Sequence, residues 1–235
     1  MKEYGLELNG AENNYMETRY RADYIGEFVI TETKWSKGKK QETREWIENP
    51  INNQHISGRA ACIGSPSDRE KFDYKVLEKH RGGLLGSKKL QTYGTAEIAQ
   101  HMKLDFTVDT DIDNLMPLVE SKYTETNIVY TTSKNCIKKP GEFYLVPLNP
   151  HLCTSVLPIY LAAFDGHKEI YMLGYHKDVI AGQSDWIEQV TSIMKAYSGT
   201  MFIMIGNKYN MPDEWMEQPN TKTLGFRDFV TYCDI

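Results

Sequence analysis

Short apolar runs rich in β-branched residues recur from residue 59 onward, and they constrain the fold more than any other feature of the sequence. The runs lie at 60–64, 104–108, 128–132, 143–148, 169–174 and 201–206. Segments with helical periodicity separate several of them. Strands that alternate with helices predict βαβ units, and therefore an α/β fold with a mainly parallel sheet covered on both faces.

Two helices can be bounded from the sequence. Over 185–197, apolar side chains recur at the i, i+3, i+4, i+7 spacing of an amphipathic helix, and Ser184 before it is a candidate N-cap. A compact apolar helix is predicted over 155–164 and ends at Asp165-Gly166, where glycine takes its usual C-terminal position. We expect the last segment, 210–235, to pack over the sheet edge.

Residues 1–58 form a polar N-terminal extension that differs from the domain predicted over 59–235. Within it, 27–35 alternates like a strand, 37–40 suggests a turn and 43–47 returns as a second strand. We therefore predict a β-hairpin. Two interpretations stay open: a solvated ribbon that packs its tryptophans on the main domain, or an arm that binds an acceptor, either a polyanion or a sugar. The residues of that arm would be Trp35, Lys39, Lys40 and Arg44.

Composition excludes several classes of protein. With 27 Lys+Arg against 32 Asp+Glu, the net charge of −5 argues against a surface that coats nucleic acid, although a local basic patch is compatible with it. No apolar run reaches about 18 residues, so we expect no membrane span. The polar start predicts no secretory signal. Four scattered cysteines without a C-x-x-C pair predict reduced thiols and a cytoplasmic location, which would be host cytoplasm for a viral chain.

Ligands of parallel sheets bind beyond the carboxyl ends of the strands, near a switch point in strand order. After the first strand of the domain, Gly64, Ser65 and Ser67 form a turn whose backbone N–H groups can approach a phosphate. The same residues can simply turn the chain and cap a helix. The turn matches neither the G-x-G-x-x-G fingerprint nor a P-loop, which argues against a dehydrogenase and a kinase.

Two further segments carry alternatives. Residues 81–89 are glycine-rich and basic, so Lys88 can contact an anion, or the glycines can serve only a tight turn. Asp109, Asp111 and Asp113 follow another strand, and their carboxylates suit a divalent cation. Asp111 and Asp113 also suit the cap and first turn of the next helix. We favour the capping interpretation.

Hydroxyl residues also follow a later strand. Thr154 and Ser155 are predicted to open a helix, which would form a second anion site. His151 in the same turn is either an acid–base group or an ordinary loop histidine.

The segment 173–178 holds the densest cluster of residues that could take part in binding or catalysis. Gly174 would let a ligand approach the backbone, and His176 and Asp178 can exchange protons near neutral pH. No G-x-S-x-G motif is present, which argues against a Ser-His-Asp hydrolase.

The block 154–174, TSVLPIYLAAFDGHKEIYMLG, resembles a recurring block of bacterial sialyltransferases. In that family, T-S-G opens a helix of small and apolar residues, and G-Y-K-E-I-Y-L-x-G forms the next strand. The turn at 63–68 is similar to their G-N-G-P-S loop after the first strand. The order and spacing of the strands between these blocks match over about residues 59–206.

This resemblance implies a glycosyltransferase on a single Rossmann-like domain, with a UDP- or CMP-sugar as donor and no obligatory metal or other cofactor. The residues that it assigns to the phosphate and the nucleotide are Gly64, Ser65, Ser67, Thr154, Ser155 and Gly174. The chain departs from the family in three places. It lacks the loop asparagine between Gly64 and Ser65, it has Val156 for the T-S-G glycine, and it has Ala-Gly-Gln-Ser at 181–184 for the catalytic histidine. We therefore take His176 as the candidate base and Asp178 as the second choice.

The hairpin suggests an acceptor. A basic, tryptophan-bearing arm on a transferase without a membrane anchor predicts a hydroxymethylated base in DNA, flipped from the duplex, as some phage transferases modify. A saccharide or a lipid-linked acceptor needs no such patch. Two alternatives of other classes stay open: a non-catalytic nucleotide-binding module, and a magnesium-dependent nucleotide hydrolase that uses the three aspartates at 109–113.

Overall fold

The computed structural model describes residues 6–8, 27–36, 39–48, 58–64, 73–80, 90–147, 151–176 and 185–235, with the backbone alone in the first three ranges and at 79–80. Three strands in the N-terminal extension form an antiparallel sheet: β1 (Leu6–Leu8), β2 (Glu27–Ser36) and β3 (Lys39–Glu48). Ser36 pairs with Lys39, so β2 and β3 form the predicted hairpin. The third strand, β1, was not predicted.

The main sheet has eight described strands, and every pair is parallel. They are β4 (Arg59–Ile63), β5 (Gln91–Gly94), β6 (Phe106–Val108), β7 (Ile128–Thr131), β8 (Tyr144–Leu145), β9 (Glu169–Leu173), β10 (Met201–Ile205) and β11 (Thr221–Leu224). The order is β11-β10-β9-β4-β5-β6-β7-β8. The chain builds outward from β4 to β8, then returns to place β9 on the other side of β4. The strand order therefore switches between β4 and β9, in a Rossmann-like α/β fold as predicted.

The described helices alternate with these strands along the chain, and the last helix follows β11. They are α1 (Ala96–Ala99), α2 (Ile112–Glu120), α3 (Ser133–Lys138), α4 (Leu157–Phe164), α5 (Trp186–Ala196), α6 (Asp213–Met216) and α7 (Phe226–Cys233), with 3-10 helices at Tyr74–His80, Tyr123–Glu125 and Lys208–Asn210. None of the helices in the described part of the chain is long and apolar enough to cross a membrane.

Both faces of the main sheet are buried. Because alternate side chains of a strand point to opposite sides of the sheet, each strand contributes to two cores, one on each face. On one face, Cys62 and Met172 belong to a core that α4, α5 and α6 cover. On the other face, Ile63 and Leu173 belong to a core that includes α1, α2 and α7. Each fully buried aliphatic side chain of this kind contributes about 1.5–3 kcal/mol through the hydrophobic effect. The cores fix the sheet and thus the position of its carboxyl edge.

The helix boundaries correct two predictions. The N-cap of α5 is Asp185 rather than Ser184. The apolar helix α4 begins at Leu157, two residues later than predicted, and Pro158 occupies its first turn, where the missing N–H costs nothing. Its end was predicted correctly, since Asp165 is the C-cap and Gly166 follows with a φ of +88°. The segment 210–235 contributes α6, α7 and the edge strand β11.

Candidate functional site

The carboxyl ends of β4 and β9 meet at the switch point. Ile63 and Leu173 are partners in the register, and the Gly64 N–H donates to the Leu173 carbonyl over 2.9 Å. Gly174 follows with a φ of +73°, a conformation that favours glycine. Gly64 and Gly174, which two different sequence motifs assign to a nucleotide site, therefore lie side by side. This is the position at which ligand crevices form in open parallel sheets.

The ring of Tyr175 packs directly on Gly64. A Cβ atom on Gly64 would lie 2.7 Å from the ring. Glycine is therefore required at position 64 because the Tyr175 side chain occupies the space that a larger residue would need. Tyr175 is buried, and its hydroxyl donates to the Ser155 carbonyl over 3.1 Å. Burial raises the pKa of the Tyr175 hydroxyl well above its ordinary value, so the group is a neutral phenol. Sequence reasoning missed this residue, although its place directly after a strand-end glycine was a signal.

Thr154 and Ser155 lie in the turn before α4. The N-cap of that helix is Val156, so neither hydroxyl caps it, contrary to the prediction. The Thr154 and Thr110 hydroxyl oxygens lie 2.7 Å apart, which ties the turn to the loop after β6. Ser155 Oγ is buried and has no hydrogen-bond partner among the described residues. Leaving a buried hydroxyl unsatisfied costs about 1–3 kcal/mol, and a ligand atom can provide the partner.

His176, the candidate base, lies toward β10. Its side chain is buried, and its Cε1 atom would lie 3.1 Å from a Cβ atom on Gly206, whose φ is +134°. The imidazole lines a pocket of about 290 Å³ at the carboxyl ends of β9, β10 and β11. The base candidate therefore lies at the functional edge of the sheet and borders a cavity.

His151, the other histidine singled out in the sequence, lines a separate pocket of about 250 Å³. This pocket lies between the turn before α4 and the first turns of α5. The Cys153 N–H donates to Gln189 Oε1 over 2.8 Å and holds the two together. His151 is exposed to solvent, in contrast to the buried His176.

The aspartates after β6 organise helix starts. Asp109 accepts backbone hydrogen bonds from Asp111 (2.9 Å) and Ala96 (3.3 Å), and burial raises its pKa against the effect of these bonds. Asp111 is the N-cap of α2 and accepts from the Asp113 N–H over 3.0 Å. The capping interpretation is therefore confirmed. Within the described ranges, no group of three His, Cys, Asp or Glu side chains is arranged to hold a metal ion.

The remaining predicted site residues stay predictions. Those that lie outside the described residues are Ser65, Ser67, Lys88 and Asp178. Those in β2 and β3, of which the backbone alone is described, are Trp35, Lys39, Lys40 and Arg44. In the register, Trp35 pairs with Lys40 and Arg44 pairs with Thr31.

The described site thus joins two strand-end glycines, a buried tyrosine, a buried serine hydroxyl and a histidine that borders a pocket. Its location at the switch point follows from the strand order. Comparison with protein-family models, with curated proteins and with solved structures finds no match for this chain. Its function is therefore to be inferred from the chemistry of these residues.

Proposed function

We propose that the protein is a glycosyltransferase that binds a UDP- or CMP-sugar at the switch point between β4 and β9 and transfers the sugar to an acceptor hydroxyl. The observation that carries this proposal is the convergence of Gly64, Gly174 and Ser155 at that point. Nucleotides bind there in open parallel sheets. The resemblance of the surrounding motifs to bacterial sialyltransferases supports the same activity.

Donor binding would use groups that follow β4 and β9 and groups in the turn before α4. In this proposal, a phosphate or ribose oxygen provides the partner that Ser155 Oγ does not have among the described residues. Ser65 and Ser67, which follow β4 in the chain, would supply phosphate contacts through backbone N–H groups, as residues at strand-to-helix turns do. Lys88 precedes β5, whose amino end lies at the opposite edge of the sheet, so it is left out of the proposed donor contacts. Tyr175 is a positioning residue, because its hydroxyl is engaged by the Ser155 carbonyl and its ring packs on Gly64.

His176 is the proposed general base. It accepts the proton of the acceptor hydroxyl while the acceptor oxygen forms its bond to the anomeric carbon of the sugar. The bond between that carbon and the phosphate oxygen breaks, and the nucleotide leaves with the electron pair. Stabilisation of the leaving phosphate and of the oxocarbenium-like transition state is what the site must supply. Asp178 is the second candidate for the base.

Release of nucleotide from a panel of UDP-, CMP- and GDP-sugars, with and without acceptor alcohols, tests this proposal. We expect His176→Ala to slow the wild-type release of UDP or CMP by about 100-fold or more, which is typical of a lost general base, while nucleotide binding is retained. His101→Ala, which changes an exposed histidine just after α1 and outside the proposed site, is the matched control and should keep the wild-type rate. Equal rates in the wild type and in His176→Ala would place the base elsewhere.

The same experiment separates the two alternatives. A protein that binds nucleotide but releases none from any donor would be a non-catalytic binding module. A magnesium-dependent hydrolase would lose all activity in a chelator, whereas the proposed transferase would not. The hydrolase is less well supported, because oxygens of Asp109 and Asp111 accept backbone hydrogen bonds at helix starts.

A further inference from the structure

The strand β8 is an edge of the main sheet with backbone groups that face outward. It lies last in the strand order and, among the described strands, pairs with β7 alone. The Val146 N–H donates to the Thr131 carbonyl over 2.9 Å. Because successive residues of a strand turn their backbone groups to alternate sides, the N–H and C=O of Leu145 point away from β7. Such an edge can pair with a further strand.

Exposed apolar side chains flank this edge on both faces of the sheet. Tyr144 is 51% exposed, and its ring centre lies 5.8 Å from that of Tyr130, its partner in the register. Leu145 is 41% exposed and lies on the opposite face, because side chains alternate along a strand. The helix α3 lies on the face of Leu145, since Asn135 Nδ2 donates to the hydroxyl of Thr131, the register partner of Leu145.

The third exposed apolar group near this edge is Ile137 in α3, which is 78% exposed. A helix or a rigid surface that packed on one face of the sheet would cover either Tyr144 or Leu145. A strand added to β8 would cover both, because its own side chains also alternate between the faces. The distribution of exposed apolar groups therefore favours an extended segment as the binding partner.

The charges around the edge are mainly positive. The segment 133–147 holds three lysines and one glutamate, whereas the net charge of the whole chain is −5. Lys134 and Lys138 are exposed, while Glu142 is half-buried and its carboxylate accepts from the Thr124 hydroxyl over 2.6 Å. The strand β8 itself contains no lysine that would block pairing. Lysines beside the edge, rather than in it, favour a segment that carries acidic residues.

A second copy of this chain fits the edge less well. Antiparallel pairing of two β8 strands about a two-fold axis would place the two α3 helices side by side on one face of a continuous sheet. Lys134 and Lys138 of one copy would then face the same residues of the other copy, and like charges that face each other are destabilising. The charges therefore favour a partner of different sequence.

We propose that the open edge of β8 binds an extended, acidic segment of a partner protein, which adds to the main sheet as a further strand. Its backbone bonds to Leu145, its apolar side chains contact Tyr144 on one face and Leu145 on the other, and its carboxylates lie near the lysines of α3. In strand addition of this kind, main-chain hydrogen bonds provide affinity and side chains provide specificity. The edge lies several strands away from the junction of β4 and β9, so this proposal is independent of the transferase.

NMR titration of the isotope-labelled full chain tests the proposal with two end-blocked peptides. One is Glu-Thr-Val-Tyr-Val-Thr-Glu, and the other has lysine in place of both glutamates. We expect the acidic peptide to bind more tightly than the lysine peptide. It should slow hydrogen exchange of the Leu145 amide and leave that of Val146 unchanged, because the Val146 N–H already donates to Thr131.

Three variants separate the contributions of the backbone and of the charges. Leu145→Pro removes the outward N–H but no hydrogen bond to β7, and it should weaken binding by about fivefold or more. Lys134→Glu combined with Lys138→Glu should reverse the preference between the two peptides. Tyr209→Ala removes an exposed tyrosine outside β8 and α3, and it should bind as the wild type does. Thermal unfolding midpoints check that the variants fold.

Absence of binding by the acidic peptide up to about 1 mM would overturn the proposal. Equal affinities of the two peptides, or an unchanged preference after charge reversal, would overturn it as well. If the wild type forms a dimer in sedimentation experiments and Leu145→Pro abolishes that dimer, the occupant of the edge is a second copy of the chain and the acidic partner is rejected.

Discussion

Asp165 is a buried carboxyl group at the C-terminal end of α4, and it shares a hydrogen-bonded cluster with Tyr93 and His167. The Tyr93 hydroxyl donates to Asp165 Oδ2 over 2.8 Å and lies 2.9 Å from His167 Nε2. Burial raises the pKa of Asp165 to about 8, although the hydrogen bond from Tyr93 acts in the opposite direction. The carboxyl group is therefore mainly protonated in the folded protein at neutral pH.

This shift predicts a dependence of stability on pH. The Asp165 carboxyl ionises near pH 4 in the unfolded chain, on the order of its reference value, and near pH 8 in the folded protein. Between these values the unfolded state binds fewer protons, so stability is lost as the pH rises. We expect the free energy of unfolding of the wild type to fall relative to that of Asp165→Asn from about pH 4 to about pH 8. Urea denaturation of both proteins at a series of pH values measures this difference in the free energy of unfolding. A difference that stays constant from about pH 4 to about pH 8 would contradict the raised pKa of Asp165.

The contact between Gly64 and Tyr175 predicts a steric effect. In Gly64→Ala the new methyl group would meet the ring at 2.7 Å, and the ring cannot move freely because it is buried and its hydroxyl is bonded. We expect a destabilisation of about 1–3 kcal/mol in urea denaturation, reduced when Tyr175→Leu is present as well. Gly199→Ala is the control, since no atom lies within 4 Å of its added methyl group. Equal stability of the two alanine variants would show that the Tyr175 ring moves aside at no cost.

At the scale of elements, Glu169 joins β4, β9 and α7. Its carboxylate accepts from Arg59 Nε (2.9 Å) and from the hydroxyls of Tyr171 (2.9 Å) and Tyr232 (3.1 Å). Burial opposes ionisation, but these hydrogen bonds outweigh it and lower the pKa of Glu169. The Tyr232 ring also has Arg59 5.2 Å and Lys222 5.1 Å from its centre. The cluster holds the C-terminal helix on the sheet.

Removal of the Glu169 charge should therefore loosen α7 selectively. We expect Glu169→Gln to speed hydrogen exchange of the α7 amides about tenfold, because local opening becomes easier, with little change in α5. Glu125→Gln is the control, since its pair with Lys122 spans 3.4 Å between side chains that are 60% and 75% exposed. Exposed pairs of this kind contribute little. An unchanged exchange rate in α7 would show that apolar packing alone holds the helix.

Strands were predictable from sequence where apolar residues form them. The six predicted runs are confirmed as β4 and β6 to β10, within a few residues at their ends. The strand β5 was missed because it reads Gln-Thr-Tyr-Gly, yet it is fully buried. Its Thr92 is satisfied by Asp105, whose Oδ2 accepts from the Thr92 N–H (2.9 Å) and hydroxyl (3.0 Å). This pair joins β5 to the residue directly before β6, and no periodicity within a strand reveals it.

At the scale of the whole molecule, the site depends on strand order, which periodicity does not determine. The sequence identified Gly64 and Gly174 as residues that follow strands. Their adjacency arises only because the chain returns past β4 to add β9. The Tyr175 ring on Gly64 and the pocket beside His176 are contacts between distant parts of the chain, so motif spacing could not predict them.

Nucleotide binding at the junction of β4 and β9 is the claim on which the proposed function depends, and thermal unfolding with CMP, UDP, GDP and ADP tests it most directly. A ligand at about 100 times its dissociation constant stabilises by about 2.7 kcal/mol, which raises the midpoint of a chain of this size by about 5–10 °C. We expect such a rise with CMP or UDP in the wild type, whether or not magnesium is present. The rise should be smaller in Ser155→Ala. It should equal that of the wild type in Ser198→Ala, which changes an exposed serine and serves as the control. No rise with any nucleotide in the wild type would contradict the claim.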